Sequence, residues 1–250
     1  MALLDEWLEN EITGNFYLEL YVDRGVLRAL TGGDASSDLD AAEALLPGME
    51  GDPQYASYVG WGRAWAAFVA GDLAEARRLA VQAADATSFF VPFSLPLAGR
   101  ACLWAGDGVG AGELLARLDA SLHRGEALTL DRATLRAGLA ALEGRRADAI
   151  AGYREVLRGW RQLGCAFDEA MASLDLAVML APTRQEMPEA EGAFAAAAET
   201  FTRLGAASFA ARMAAVARTD RGTSATGDTG TRDPRERPGL ATEQAPAGRP

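Results

Sequence analysis

The chain reads as all-α: a right-handed α-solenoid of about five helical hairpins, followed by a disordered carboxyl-terminal tail. Three observations predict it. A glycine follows an apolar, helix-spaced stretch and opens a new Ala-rich one at Gly33, Gly71, Gly106 and Gly144, at intervals of 38, 35 and 38 residues. Ala76, Ala111 and Ala149 each stand five residues after the last three of those glycines. No stretch alternates apolar and polar residues with the period of two and the β-branched content of a strand. One hairpin cannot bury its own apolar face, so recurrence at this period implies stacked neighbours.

The first unit is set apart by charge. Residues 1–60 hold twelve acids against Arg24 and Arg28, which accounts for most of the net charge of −11. In the second unit, Tyr58, Trp61, Trp65 and Phe68 fall at i, i+3, i+7 and i+10 before Gly71, a helical stripe. Leu73, Ala76, Leu79, Ala80 and Ala83 continue it after the turn. Glycine suits that turn because it adopts the left-handed conformation that ends a helix, and the Asp after it caps the next one. Phe89-Phe90-Val91-Pro92-Phe93 forms an apolar connector into the third unit. The fourth unit repeats the pattern with Leu135, Leu139 and Leu142 before Gly144, and Tyr153, Val156, Leu157 and Trp160 after it. Pro182, 38 residues beyond Gly144, marks the corresponding break of a fifth unit, and Pro47, Pro53, Pro92, Pro96 and Pro188 read as further punctuation. The array is expected to span residues 1–218; from Thr219 to Pro250 Leu240 is the one sizeable apolar residue, which predicts a disordered tail.

Composition narrows the function classes. No apolar run approaches the roughly 18 residues that span a bilayer, and acids stand where an export signal would be basic, so the expected location is cytoplasmic and away from membranes. Cys102 and Cys165 are read as small buried hydrophobes in a reducing compartment. An acidic surface repels phosphate backbones, which argues against direct nucleic-acid binding. All 24 basic side chains are arginine, and this absence of lysine rules out a Gly-x-x-x-x-Gly-Lys-Ser/Thr phosphate loop in these residues.

Gly, then Ala five on, then an aromatic nine on (Gly144, Ala149, Tyr153) resembles the inter-helix turn and second helix of a tetratricopeptide unit. Ala137, with Ala64 and Gly99 in the other units, stands at its small-residue position, while Arg63 and Arg136 replace its leucine and Ala67, Cys102 and Ala140 its tyrosine. Residues 149–164, 167–177 and 201–213 resemble the carboxyl-terminal helical region of bacterial signalling proteins that join a STAND ATPase to a nucleotide cyclase or a LuxR-type DNA-binding domain. The resemblance implies a detached sensor or scaffold module. It also implies a partner ATPase or cyclase encoded separately. Met1 leads almost directly into helical sequence, so an upstream part is expected to have been lost or to be encoded separately.

Candidate chemistry is sparse. Gly106, Gly108, Gly110 and Gly112 suggest a dinucleotide loop but lack the third glycine of G-x-G-x-x-G and a preceding strand. His123, with Ser121 and Asp119, lists the members of a hydrolase triad, yet on a helix these positions diverge, so His123 is expected to be a solvent-facing helical residue. One histidine and two distant cysteines give no zinc spacing. Asp38 with Asp40 and Glu189 with Glu191 read as acids at helix starts. The expected function is therefore non-enzymatic, with no cofactor or metal. It is an interaction module of a signalling or transcription-regulatory system that takes a protein or peptide partner on its concave face, through Tyr58, Trp61, Trp65 and Phe68. A small-molecule sensor binding an apolar effector between helices is the alternative, and an enzyme the third reading.

Overall fold

The computed structural model describes residues 1–9, 16–49 and 51–225. Among them are twelve α-helices and no strand: α1 (Ala2–Glu9), α2 (Phe16–Leu30), α3 (Ser36–Leu45), α4 (Pro53–Ala70), α5 (Leu73–Ala86), α6 (Val91–Trp104), α7 (Gly108–Ala120), α8 (Glu126–Leu142), α9 (Arg146–Leu163), α10 (Ala166–Met179), α11 (Ala190–Arg203) and α12 (Ala207–Ala225). Short 3-10 turns cover Leu46–Met49 and Ser88–Phe90. The last helix runs past Arg218, where the array was expected to end; the rest of the expected tail lies outside the described residues.

One helix-stop is used repeatedly. A glycine takes a left-handed φ near 71–90° at Gly32, Gly71, Gly106, Gly144, Gly164 and Gly205. The N–H one residue later then donates to the carbonyl five back, as in Asp72 to Ala67 at 3.0 Å and Asp107 to Cys102 at 2.9 Å. At the first turn this role falls to Gly32, not to Gly33 as the spacing suggested. Asp72 and Asp107 cap the helices that follow by accepting from the N–H of Glu75 and of Gly110. Ala181, at φ 40°, takes the left-handed position before Pro182, where the fifth break was expected. Pro96 does not break the chain; it lies inside α6.

The helices divide into two layers. α2, α4, α6, α8, α10 and α12 touch in succession, whereas no two of α3, α5, α7, α9 and α11 come into backbone contact. The inner layer also curls back on itself: α10 reaches α6, and α12 reaches α2 and α4. Accordingly α6 buries every residue from Ser94 to Leu103 and α10 every residue from Ala170 to Ala177, the pattern of helices enclosed on all sides. α6 and α8 approach closely because each offers the other a notch. A Cβ on Gly99 would lie 2.7 Å from Leu135, and one on Gly138 would overlap Leu103.

An aromatic hub joins the two ends of the array. Phe68 on α4 is fully buried, with ring centroids 4.7 Å from Trp104 and 6.2 Å from Phe209. Phe209 in turn meets Phe201 at 5.5 Å and Phe167 at 6.2 Å, and Phe167 meets Trp65 at 6.4 Å. Two polar clasps flank the hub. Arg212 Nη2 on α12 donates to the Val69 carbonyl at 3.0 Å, at the negative end of α4, and its guanidinium lies over the Trp104 ring at 5.4 Å. Arg100 Nε on α6 donates to both carboxylate oxygens of Asp175 on α10, at 3.1 and 2.9 Å, and Trp104 Nε1 donates to the same carboxylate at 2.8 Å.

Phe68→Ala is expected to lower stability by about 3–5 kcal/mol in urea unfolding, since it opens a void among rings that cannot collapse onto it. Gly138→Ala is expected to lower it by about 1–2 kcal/mol, because overpacking against the enclosed Leu103 outweighs the gain of about 1 kcal/mol in helix propensity.

Candidate functional site

The amino-terminal half of α4 carries Tyr55, Tyr58 and Trp61 on one face. The 3-10 turn and first turn of α6 bring Phe89, Phe90 and Phe93 against that face. Thr87 accepts from the Phe89 N–H and fixes the turn that aims those rings. Together with Glu19 on α2 and with Gln54, these six aromatics line a cavity of about 480 Å³. Tyr58 stacks on Trp61 at 5.6 Å with planes 13° apart, and its other neighbour, Phe90, lies at 5.7 Å. Phe90 is buried, whereas Phe89 and Phe93 are 53% and 51% exposed and form the rim.

The cavity is electronegative. Tyr58 Oη donates to Asp23 at 2.6 Å. Asp23 lies one helical turn beyond Glu19 on α2. Burial first, then Asp23 and the charge of Glu19, push the Tyr58 hydroxyl far above the usual tyrosine range. Arg24 and Arg28, the two cations of α2, are bound to Asp5 and Asp38 instead. No basic side chain lines the cavity.

A smaller cavity of about 160 Å³ shares Trp61 and Phe93 with the first and reaches Trp65, Arg100, Asp131, Asp168 and Phe167. Here one guanidinium faces three carboxylates. Arg100 is hydrogen-bonded to Asp175, which leaves Asp131 and Asp168 without a direct donor from it. Desolvation raises Asp131 to about 7, against the pull of Arg100 and Arg132 and with the push of Asp168 and Asp175. Burial raises Asp168 as well.

The four residues singled out by their helical spacing therefore part company. Tyr58 and Trp61 wall the open cavity. Trp65 stands between cavity and hub, at 6.4 Å from Trp61 and 6.0 Å from Phe68. Phe68, with no exposed surface, is a hub residue and has none to offer a partner. The Phe89–Phe93 connector, identified separately, comes to the same cavity as Tyr58 and Trp61. Sequence reasoning missed Glu19, Asp23 and Tyr55; the i, i+4 acids on an apolar helix one turn from a tyrosine-rich start were the available signal.

The remaining candidates have structural roles. His123 lies in the connector between α7 and α8, not on a helix, and its carbonyl accepts from Arg132 at 3.3 Å. Ser121 Oγ donates to the Leu118 carbonyl, and Asp119 pairs with Arg136, so no relay forms. Asp107 and the glycines after it form the capped start of α7. Asp38 pairs with Arg24 and Arg28, Asp40 with Arg63, and Glu189 with Arg154. Cys102 is buried, which pushes its thiol up to about 11, and Cys165 is partly buried. Among the described residues no group of His, Cys, Asp or Glu is arranged to hold a metal ion, and no helix is long and apolar enough to cross a membrane. No family model matches the chain, and no curated protein or solved structure shows significant similarity to it.

The Asp131 carboxyl gives a signed pH dependence. Between its ordinary value of 3.8 and about 7, the folded chain keeps a proton that the unfolded chain has lost. The contribution of this group to stability is thus full below about pH 4, falls as the pH rises to about 7 and levels off above. Asp131→Asn is expected to flatten this decline and to raise stability at pH 8 by about 2–4 kcal/mol, read from urea titrations across the range.

Proposed function

We propose that the protein is a non-enzymatic, ligand-binding regulatory module: a tetratricopeptide-like solenoid of about five hairpins whose aromatic cavity takes a small organic molecule. The convergence of two aromatic segments on one open cavity of about 480 Å³ carries this reading, since that volume lies in the range of small-ligand sites. Six of its eight lining residues are aromatic, and such rings hold a ligand by dispersion and by their π-faces. A peptide laid along the inner face finds the carboxyl-terminal half of α4 already covered by Phe167, Phe209 and Arg212. A protein partner remains the second reading, favoured by the exposure of Phe89 and Phe93 beside the cavity mouth. The solenoid reading is supported by the repeated glycine stop and the two-layer contact pattern. The signalling role, and a separately encoded ATPase or cyclase as the partner that reads occupancy, follow from the resemblance of residues 149–213.

A thermal-shift screen with small aromatic and amphipathic compounds is expected to yield saturable stabilisation of the wild-type chain. Trp61→Ala is expected to weaken the best hit at least about tenfold while lowering unfolding stability by only about 1 kcal/mol. Trp65→Ala, nearer the hub, is expected to lower stability by about 3 kcal/mol. Hits whose affinity is indifferent to Trp61 would reject the site.

A further inference from the structure

Resting on the small-molecule reading of the aromatic cavity, we infer that its ligand is an organic cation, a small alkyl- or arylammonium, held over Trp61 and Tyr58 with Glu19 as counter-charge. Three observations carry this class. Six rings, each bearing π-faces, line a common space: Tyr58 and Trp61 stack with nearly parallel planes, and Phe90 and Phe93 line the same cavity with centroids 6.0 Å apart. Such faces are negative and attract an ammonium, most strongly where water is excluded. Next, Glu19 and Asp23 are like charges one turn apart on α2, an arrangement that disfavours the bare helix and is relieved by a cation between or beside them. Four other amino-terminal acids are neutralised from within: Asp5 and Asp38 by Arg24 and Arg28, Asp40 and Glu43 by Arg63. At the aromatic mouth no basic side chain lines the cavity beside Glu19.

The third observation is the adjoining cavity. Across the shared Trp61 and Phe93, the one cation lining the adjoining cavity, Arg100, is engaged by Asp175 and is not available to an anion. An anionic ligand would meet the Glu19 carboxylate and no basic partner in the first cavity. A neutral aromatic would fit the walls but leave the charge of Glu19 unanswered. The cation answers both the rings and the acid.

The test uses matched pairs that differ in charge and share a shape: phenyltrimethylammonium against tert-butylbenzene, and choline against 3,3-dimethylbutan-1-ol. Binding to the full chain is followed by tryptophan fluorescence and calorimetry. Each cation is expected to bind at least about tenfold tighter than its neutral partner, with the preference shrinking as salt is raised. Glu19→Gln is the chosen variant, because it removes the charge and keeps the size of the side chain. It is expected to weaken the cations about three- to tenfold and leave the neutral probes unchanged. Equal or tighter binding of the neutral partners, with Trp61→Ala abolishing it, would overturn the cation assignment while the cavity reading stood. Binding of none of the four, with unchanged tryptophan emission up to millimolar concentration, would overturn both.

Discussion

Everything in this fold turns on the return of the chain onto α4. Phe68 is enclosed by Trp104 from α6 and by Phe209 from α12, so the second hairpin completes its core with residues far along the sequence. Helical hairpins stacked in an open row bury only neighbour against neighbour. Here the contacts of α12 with α2 and α4, and of α10 with α6, add long-range closure. Arg100 and Asp175 make that closure specific. Each lies in a helix buried on every side, and a buried charge left without its partner is strongly unfavourable, so the pair favours the register in which Arg100 meets Asp175.

That closure explains what the amino-acid sequence disclosed and what it did not. The helical stops were legible because each is local: glycine in the left-handed region, an acid or proline at a set distance, and a bond spanning five residues. Which glycine of a pair ends the helix was not, and Gly32 serves where Gly33 was expected, because adjacent glycines are conformationally equivalent until the next helix is placed. The stripe Tyr58, Trp61, Trp65 and Phe68 was legible as one face of α4. Its division into cavity wall and hub was not, since it depends on how far α10 and α12 reach along α4. Nothing local in Phe167, Phe209 or Arg212 encodes that reach. The glycines at which helices nest, Gly25, Gly62, Gly99 and Gly138, do recur at 37, 37 and 39 residues, a second periodic signal hidden by the louder turn glycines.

Charge follows the same logic of local and distant partners. The excess of acids in the first sixty residues looked like a solvated face, and for Asp5, Asp38, Asp40 and Glu43 the structure supplies arginines from the same or a neighbouring hairpin. Glu19 and Asp23 differ because the helix face they occupy points toward aromatic side chains of α4, which offer a hydroxyl and π-electrons but no positive charge. Aromatic walls and unneutralised acids are each ordinary on a protein surface. Their coincidence at one cavity is what separates this face from the rest of the molecule.

The cavity and the hub are also one continuous packing. Trp61 touches Trp65, Trp65 touches both Phe68 and Phe167, and no break in the aromatic contact divides the open site from the closed core. A ligand bound to Trp61 in the folded state alone stabilises that state in proportion to the logarithm of its concentration. The stabilisation is shared by every element whose ordering is required to hold Trp61 in place. Because Trp65 is supported by Phe167 at the start of α10, and Phe167 by Phe201 and Phe209, those elements include the last three helices. On the proposed reading, occupancy of a cavity built by residues 19–93 favours the folded state in which residues 166–213 are docked through the same aromatic packing.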